Sequence, residues 1–231
     1  MPNIGSFILS NLLYILLLVA TIFGYFWIYQ NRKRLQIKDA TAALLALLHT
    51  MIGVFCVTIF AFIESGEFGG RSLFGGILFM PGVYYLYARL AKKDIAAVFD
   101  TAAVLMVFTL FCARIACFPG HCCLGALIPG SDGLRWPTRE AELLFYVVLL
   151  VLLGKISGKK QHYGTLYPLL MVAYGAFRFI VEWFRETESP ILFFHISHIW
   201  CVVSVAVGLT VYIKIRRSHL LASKKSSRIV R

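Results

Sequence analysis

Charge is scarce in this 231-residue chain: 15% of its residues are charged and only 11 are acidic, against 59% hydrophobic and a mean hydropathy of +0.78. That shortage excludes an ordinary soluble domain and marks membrane composition. Short alternating apolar segments are missing too. In lipid only helices and closed barrels satisfy every backbone group, so the continuous apolar runs select helices. There is no internal repeat, no low-complexity linker and no sign of a second domain. No C-x-x-C is present, which weakens any zinc reading. Nothing positive precedes the first apolar run, and it is too long for a signal-peptide core, so it is expected to be retained.

The apolar runs fall at roughly 6–29, 41–63, 72–90, 95–117, 141–156, 164–184 and 198–215. Each is near the ~20 residues needed to cross a hydrocarbon core. Lys and Arg collect in "NRKRLQIKD", "ARLAKKD", "GKISGKK" and the tail "IKIRRSHLLASKKSSRIVR", whereas the intervening connections are mixed in sign. Loops rich in Lys and Arg stay in the cytoplasm. The expected fold is therefore an all-α integral membrane protein of seven transmembrane helices, amino terminus outside and carboxyl terminus cytoplasmic. Residues 1–217 form the membrane domain, with an outer loop at 118–140, and residues 218–231 a basic cytoplasmic tail that looks disordered. The formal charge of +12 is spread over these connections, which fits topology and anionic lipid headgroups rather than nucleic acid.

A charge at mid-membrane costs about 2.5 to 3.5 kcal/mol on insertion scales, so it needs a partner or a task. In "AYGAFRFIVEWFRE", Tyr174, Arg178, Glu182 and Arg185 recur at helical spacing and share one face. One reading is a self-satisfied ion pair with Arg185 snorkelling to the outer boundary; the other is a functional site built on Arg178. Arg114, in "FCARIACF", lies close to the same boundary, and the loop after it, "CFPGHCCLG", combines Pro119, Gly120 and Gly125 with His121 and three thiols. Irregular backbone at membrane depth is tolerated where it lines a cavity or is buried in protein. Asp100 and His49 read as packed polar residues bonded to neighbouring helices.

Cys56, Cys112 and Cys201 sit within spans as packing residues, leaving Cys117, Cys122 and Cys123 as the reactive candidates. Directly adjacent cysteines make a poor tetrahedral zinc set, so no metal is expected. A disulfide on the oxidising side and a Cys117 thiolate favoured by Arg114 both stay open.

Taken in order, these motifs resemble the bacterial prolipoprotein diacylglyceryl transferase family from the second helix onward. "SLFGGIL" is similar to the family's histidine followed by a glycine pair, with Gly75 and Gly76 matching and Phe74 where histidine is usual. "ARIACFPGHCCLG" resembles G-R-I-G-N-F with a glycine seven residues on, so Arg114, Phe118 and Gly125 match, while Cys117 replaces an asparagine and Cys122 stands where many members have glutamate. "WPTREAE" is similar to H-P-T-Q-L-Y-E, keeping Pro137, Thr138 and Glu142 and losing the histidine to Trp136. Tyr174, Gly175, Arg178, Glu182 and Arg185 match Y-G-x-x-R-F-x-x-E-x-x-R.

The resemblance implies transfer of the diacylglyceryl group of phosphatidylglycerol to the thiol of a lipobox cysteine in a secreted precursor, the first step of lipoprotein maturation. It also implies a multi-pass protein of the bacterial cytoplasmic membrane, with its active site toward the outer leaflet. No cofactor is needed. Arg114 and Arg178 are expected to clamp the lipid phosphate, with Glu182 orienting Arg178. Tyr174, Arg185, Gly75, Gly76, Gly125, Cys117 and Glu142 would line the substrate. His121 is the first candidate for the thiol base, with His195 and His198 as others. The competing readings are a thiol-redox or metal-binding membrane protein built on the outer cysteines, and a catalytically altered lipid-binding relative.

Overall fold

The computed structural model describes residues 4–67, 69–119, 123–186 and 196–229. Among these, seven helices of 17 residues or more carry the fold: α1 (Ile4–Gln30), α3 (Asp39–Ser65), α4 (Phe74–Leu90), α5 (Ile95–Ala116), α6 (Thr138–Ile156), α7 (Leu166–Glu182) and α8 (Ile196–Ile229). A short α2 (Arg32–Leu35) follows α1, and one 3₁₀ turn lies at Lys160–His162. Every apolar run in the sequence has become a helix. Asn11–Gln30 of α1, Asp39–Ser65, Ile95–Ala116 and Ile196–Leu221 of α8 are long and apolar enough to cross a membrane. The 17-residue α4 and α7 fall short in length, and α6 carries Arg139, Glu140, Glu142 and Lys155.

Among the boundaries that differ from the sequence reading, two bear on the ends of the fold. The last helix runs on to Ile229, so the basic tail continues a helix rather than leaving one at 215. At the other extreme α7 ends at Glu182, where the chain meets the α5–α6 connection.

Local chemistry sets several ends. Gly66 stops α3 at φ 74, with its N–H on the Phe62 carbonyl, a left-handed geometry that suits a residue without Cβ. Asp94 caps α5 by accepting from the Ala96 N–H at 2.9 Å.

The central helix is α5, with 67% of its apolar window buried. Close crossings rely on missing side chains. A Cβ on Gly75 would collide with the Cys56 carbonyl and reach 2.7 Å from Phe60 Cβ, which seats α4 directly on α3. Gly175 and Gly208 do the same along the α7–α8 seam, where a Cβ would fall 2.7 Å from the Cys201 carbonyl and 2.8 Å from the Pro168 carbonyl.

The basic connections gather at one end. Arg34 pairs with buried Asp100, which also accepts from the N–H groups of Gly164 at 2.8 Å and Leu166 at 3.1 Å. Arg216 donates to the Gln161 carbonyl at 3.2 Å. Asp100 thus ties α2, α5 and the start of α7. Asp100→Ala is expected to lower stability by about 3 kcal/mol, since it strands a guanidinium and two N–H groups. Thermal unfolding in detergent reads this, and Asp100→Asn, which keeps one acceptor oxygen for one of the two N–H groups, should recover part of it. His49 is likewise a bonded core residue, meeting Tyr84 at 2.8 Å and Thr109 at 3.1 Å.

Candidate active site

At the opposite end, α5, α6 and α7 bring their charges to one point. Arg114 closes the last turn of α5, Glu142 lies in the first turns of α6 and Arg178 is one turn from the end of α7. Arg114 Nη2 pairs with Glu142 Oε2, and Arg178 Nη1 reaches Glu142 Oε1 at 2.6 Å. Tyr146, one turn on, donates to Glu142 Oε2 at 3.3 Å. The spacing of four predicted within the helix is realised: Arg178 Nη2 meets Glu182 Oε2 at 2.8 Å. Arg185 lies beyond the helix but turns back to Glu182 at 3.1 Å.

These groups are shut away from bulk water, with Arg114 2% exposed, Arg178 5%, and Glu142 and Glu182 0%. Snorkelling therefore does not explain Arg114. Its partner is a carboxylate that the sequence offered only as a motif match. The signal was present in Glu142, an acid at the start of an apolar helix facing the same boundary as Arg114.

The network leaves donors over. Arg178 Nε, Arg114 Nε and the buried Tyr174 hydroxyl have no hydrogen-bond partner among the described residues. Buried donors normally have one, so these atoms could serve an acceptor brought to the cluster. Phe74 lies beneath, edge-on to Tyr174 at 5.5 Å, with the Arg178 guanidinium 5.8 Å over its ring.

The α5–α6 connection is pinned to the end of α7. Antiparallel bridges join Gly125 to Arg185 and Leu127 to Arg135, and the Ala126 N–H donates to the Phe184 carbonyl at 2.8 Å. Gly125 is required there, because a Cβ would strike the Trp136 carbonyl. Arg135 pairs with Glu186.

A family model described as prolipoprotein diacylglyceryl transferase matches residues 11–214. The chain belongs to the prolipoprotein diacylglyceryl transferase family. Among curated proteins it is similar to phosphatidylglycerol–prolipoprotein diacylglyceryl transferases. That of Nitratidesulfovibrio vulgaris is 34% identical over 133 residues, covering 53% of this chain and 50% of the relative. That of Pseudoalteromonas atlantica is 33% identical, covering 53% and 48%, and that of Vibrio cholerae 30%, covering 53% and 49%. The chain spans about half the length of these relatives.

Within the prolipoprotein diacylglyceryl transferase fold, the motif glycines keep steric duties. Gly75 carries the α3–α4 crossing, and a Cβ on Gly76 would sit 3.4 Å from Met106 Sδ. Of the sequence candidates, His121, Cys122 and His195 lie outside the described residues. His198 is buried between Phe179 and Trp183, at ring distances of 4.9 and 5.0 Å.

Among the described residues, Cys117 and Cys123 are not joined to each other in a disulfide. Cys123 sits at φ 58, a left-handed backbone that a side chain rarely adopts. A hydrogen bond from Cys117, together with the Arg185 and Arg114 guanidiniums, pulls the Cys123 thiol down to about 4 against the opposing effect of burial. Its thiolate is therefore the form present at neutral pH, so alkylation of Cys123 by iodoacetamide should stay fast down to about pH 5, where an ordinary thiol has stopped reacting. Cys117→Ser should leave part of this depression in place, and peptide mapping after pulse labelling measures both.

Proposed function

We propose that this chain transfers the diacylglyceryl group of phosphatidylglycerol to the cysteine thiol of a lipobox-containing prolipoprotein. The observation that carries the proposal is the sharing of Glu142 by Arg114 and Arg178, with donors left over on both guanidiniums and on Tyr174. In the reaction the thiol sulfur bonds to the glyceryl carbon, the carbon–oxygen bond to phosphate breaks, and glycerol phosphate leaves. Negative charge builds on the phosphate as that bond lengthens. Guanidinium donors already fixed in a water-poor site stabilise it without reorganising.

In this reading Arg114 and Arg178 bind the phosphate, Glu142 and Glu182 aim them, and Tyr174 adds a neutral donor. Arg185 and Gly125 join that site to the outer loop and Cys117 lines the approach, while Gly75 and Gly76 seat α4 beneath the site. The chemistry needs no cofactor. All seven long helices span a bacterial cytoplasmic membrane, amino end outward, with the arginine cluster toward the outer leaflet. Supporting that orientation, the Lys- and Arg-rich connections meet around Asp100, at the end away from Arg114 and Arg178.

Purified protein mixed with phosphatidylglycerol and a lipobox peptide is expected to raise the peptide mass by one diacylglyceryl group. A peptide carrying serine in place of the cysteine should gain nothing. An unmodified cysteine peptide, with both substrates saturating, would falsify the assignment.

A further inference from the structure

Away from the arginine network, α4, α5, α7 and α8 wall a groove of about 770 Å³. Val207, Val211 and Ile215 line it at helical spacing along α8, with Leu78 and Phe79 from α4 and Phe99 from α5. Phe60 packed on Trp200 marks one end. Asp94, Tyr163, Ser218 and His219 mark the other, where the Lys- and Arg-rich connections gather. From Val207 to His219 the helix rises about 18 Å, close to the ~15 Å that one leaflet contributes to a hydrocarbon core.

A second hollow, of about 740 Å³, continues from that end, with Tyr163 and His219 lining both. This one is basic, because Arg34, Lys160 and Arg216 converge on it. The nearby acids are already engaged. Asp94 accepts from the Tyr163 hydroxyl and the Ala96 N–H, and Asp100 from Arg34 and the N–H groups of Gly164 and Leu166. Arg216 donates to a neutral carbonyl, that of Gln161, and among the described residues neither Arg216 nor Lys160 has an ion-pair partner. Gly164 makes the junction: it turns at φ 77, and a Cβ there would come 3.1 Å from Ala96 Cβ, so the α6–α7 connection sits directly on α5. Topology alone asks for Lys and Arg on this side of the bundle. It does not ask that their unpaired charge meet an apolar groove.

We propose that the two hollows together bind one anionic phospholipid, as a site separate from Arg114 and Arg178. The lipid belongs to the leaflet bordering the Lys- and Arg-rich end, which is the cytoplasmic one in the orientation given above, and the proposal rests on that orientation for the leaflet alone. Its phosphate lies against Lys160 and Arg216, and an acyl chain follows Ile215, Val211 and Val207 into the groove. Tyr163 stands at the boundary between the two, the level at which an amphipathic ring suits a membrane interface. Basic pockets between helices on the cytoplasmic side hold anionic headgroups by this combination. A zwitterionic lipid brings its own ammonium and gains less from the unpaired charge, and a water-soluble phosphate gains nothing from the groove. The bound lipid touches α8, α5 and the α6–α7 connection at once, so it favours the folded bundle.

The test is native mass spectrometry of the full chain in detergent, titrated with dioleoylphosphatidylserine, an anionic lipid other than the transferase substrate. A saturable adduct is expected, held more tightly than dioleoylphosphatidylcholine. The double variant Lys160→Gln, Arg216→Gln should weaken it about 30-fold, the factor for two basic residues at a membrane surface. Val211→Trp, which fills the groove and leaves every charge in place, should weaken it as well. Both variants should keep diacylglyceryl transfer within about twofold of wild type, as expected for well-separated sites. Unchanged binding in the double variant, equal affinity for phosphatidylcholine, or full displacement by an equal concentration of glycerol phosphate overturns the proposal. So does a dimer that Val211→Trp abolishes and that carries no lipid, which gives the groove to a second copy of the chain. The titration needs neither turnover nor a bilayer. A chain inert in transfer that still binds phosphatidylserine through Lys160 and Arg216 supports this site and overturns only the transferase reading; an active chain blind to lipid charge overturns only this site.

Discussion

Arg178→Ala is expected to cut kcat/KM for diacylglyceryl transfer by about 10³-fold, the scale of losing a preorganised charged donor from a closed site. It should also cost about 3–5 kcal/mol of stability. The two effects share a cause. Arg178 is the only described residue that touches both Glu142 and Glu182, at 2.6 and 2.8 Å, and its removal leaves Glu182 with Arg185 alone and Glu142 with one guanidinium fewer. Arg178→Lys separates chemistry from folding. A single ammonium keeps the charge but cannot fork across two carboxylates and still present a free N–H to phosphate. It should therefore keep most of the stability and still lose about 10²-fold in kcat. Kinetics with the peptide assay, run well below each variant's unfolding midpoint, measures this. A lysine variant with near-native kcat would show that charge alone suffices and remove the fork from the mechanism.

Glu142→Gln is expected to fail in a different way. The carboxylate stands between two guanidiniums that are 2% and 5% exposed, and a neutral amide leaves their repulsion unscreened, again costing about 3–5 kcal/mol. For the lipid the sign reverses. With one negative charge gone, the anionic phosphate meets a more positive site, so KM for phosphatidylglycerol should fall while kcat drops about 10²-fold, because the guanidiniums are no longer aimed. A raised KM with unchanged kcat would mean that Glu142 contacts the lipid directly instead of positioning the arginines.

The sequence spoke clearly where a signal was local. Seven apolar runs became seven long helices, and the spacing of Arg178 and Glu182 became an ion pair. Arg185 was read onto the same helical face, but α7 stops at Glu182 because the backbone of Phe184 and Arg185 is taken up by the outer loop. Glu142 was quoted as a motif residue, yet its role depends on α6 meeting α5 and α7 at one level, a contact between residues 28 and 36 positions apart. No periodicity within a helix carries that information.

The charged network also bears on how the chain enters the bilayer. Its pairs close between segments that emerge together: Arg114 and Glu142 belong to the consecutive helices α5 and α6, and Arg178 and Glu182 to the single helix α7. Each unit can reach the lipid with its charge already neutralised, which reduces the insertion penalty that a lone arginine or glutamate carries. The bond from Arg178 to Glu142 is the one that needs both units side by side. The charged cluster is therefore complete only once α7 lies against α5 and α6.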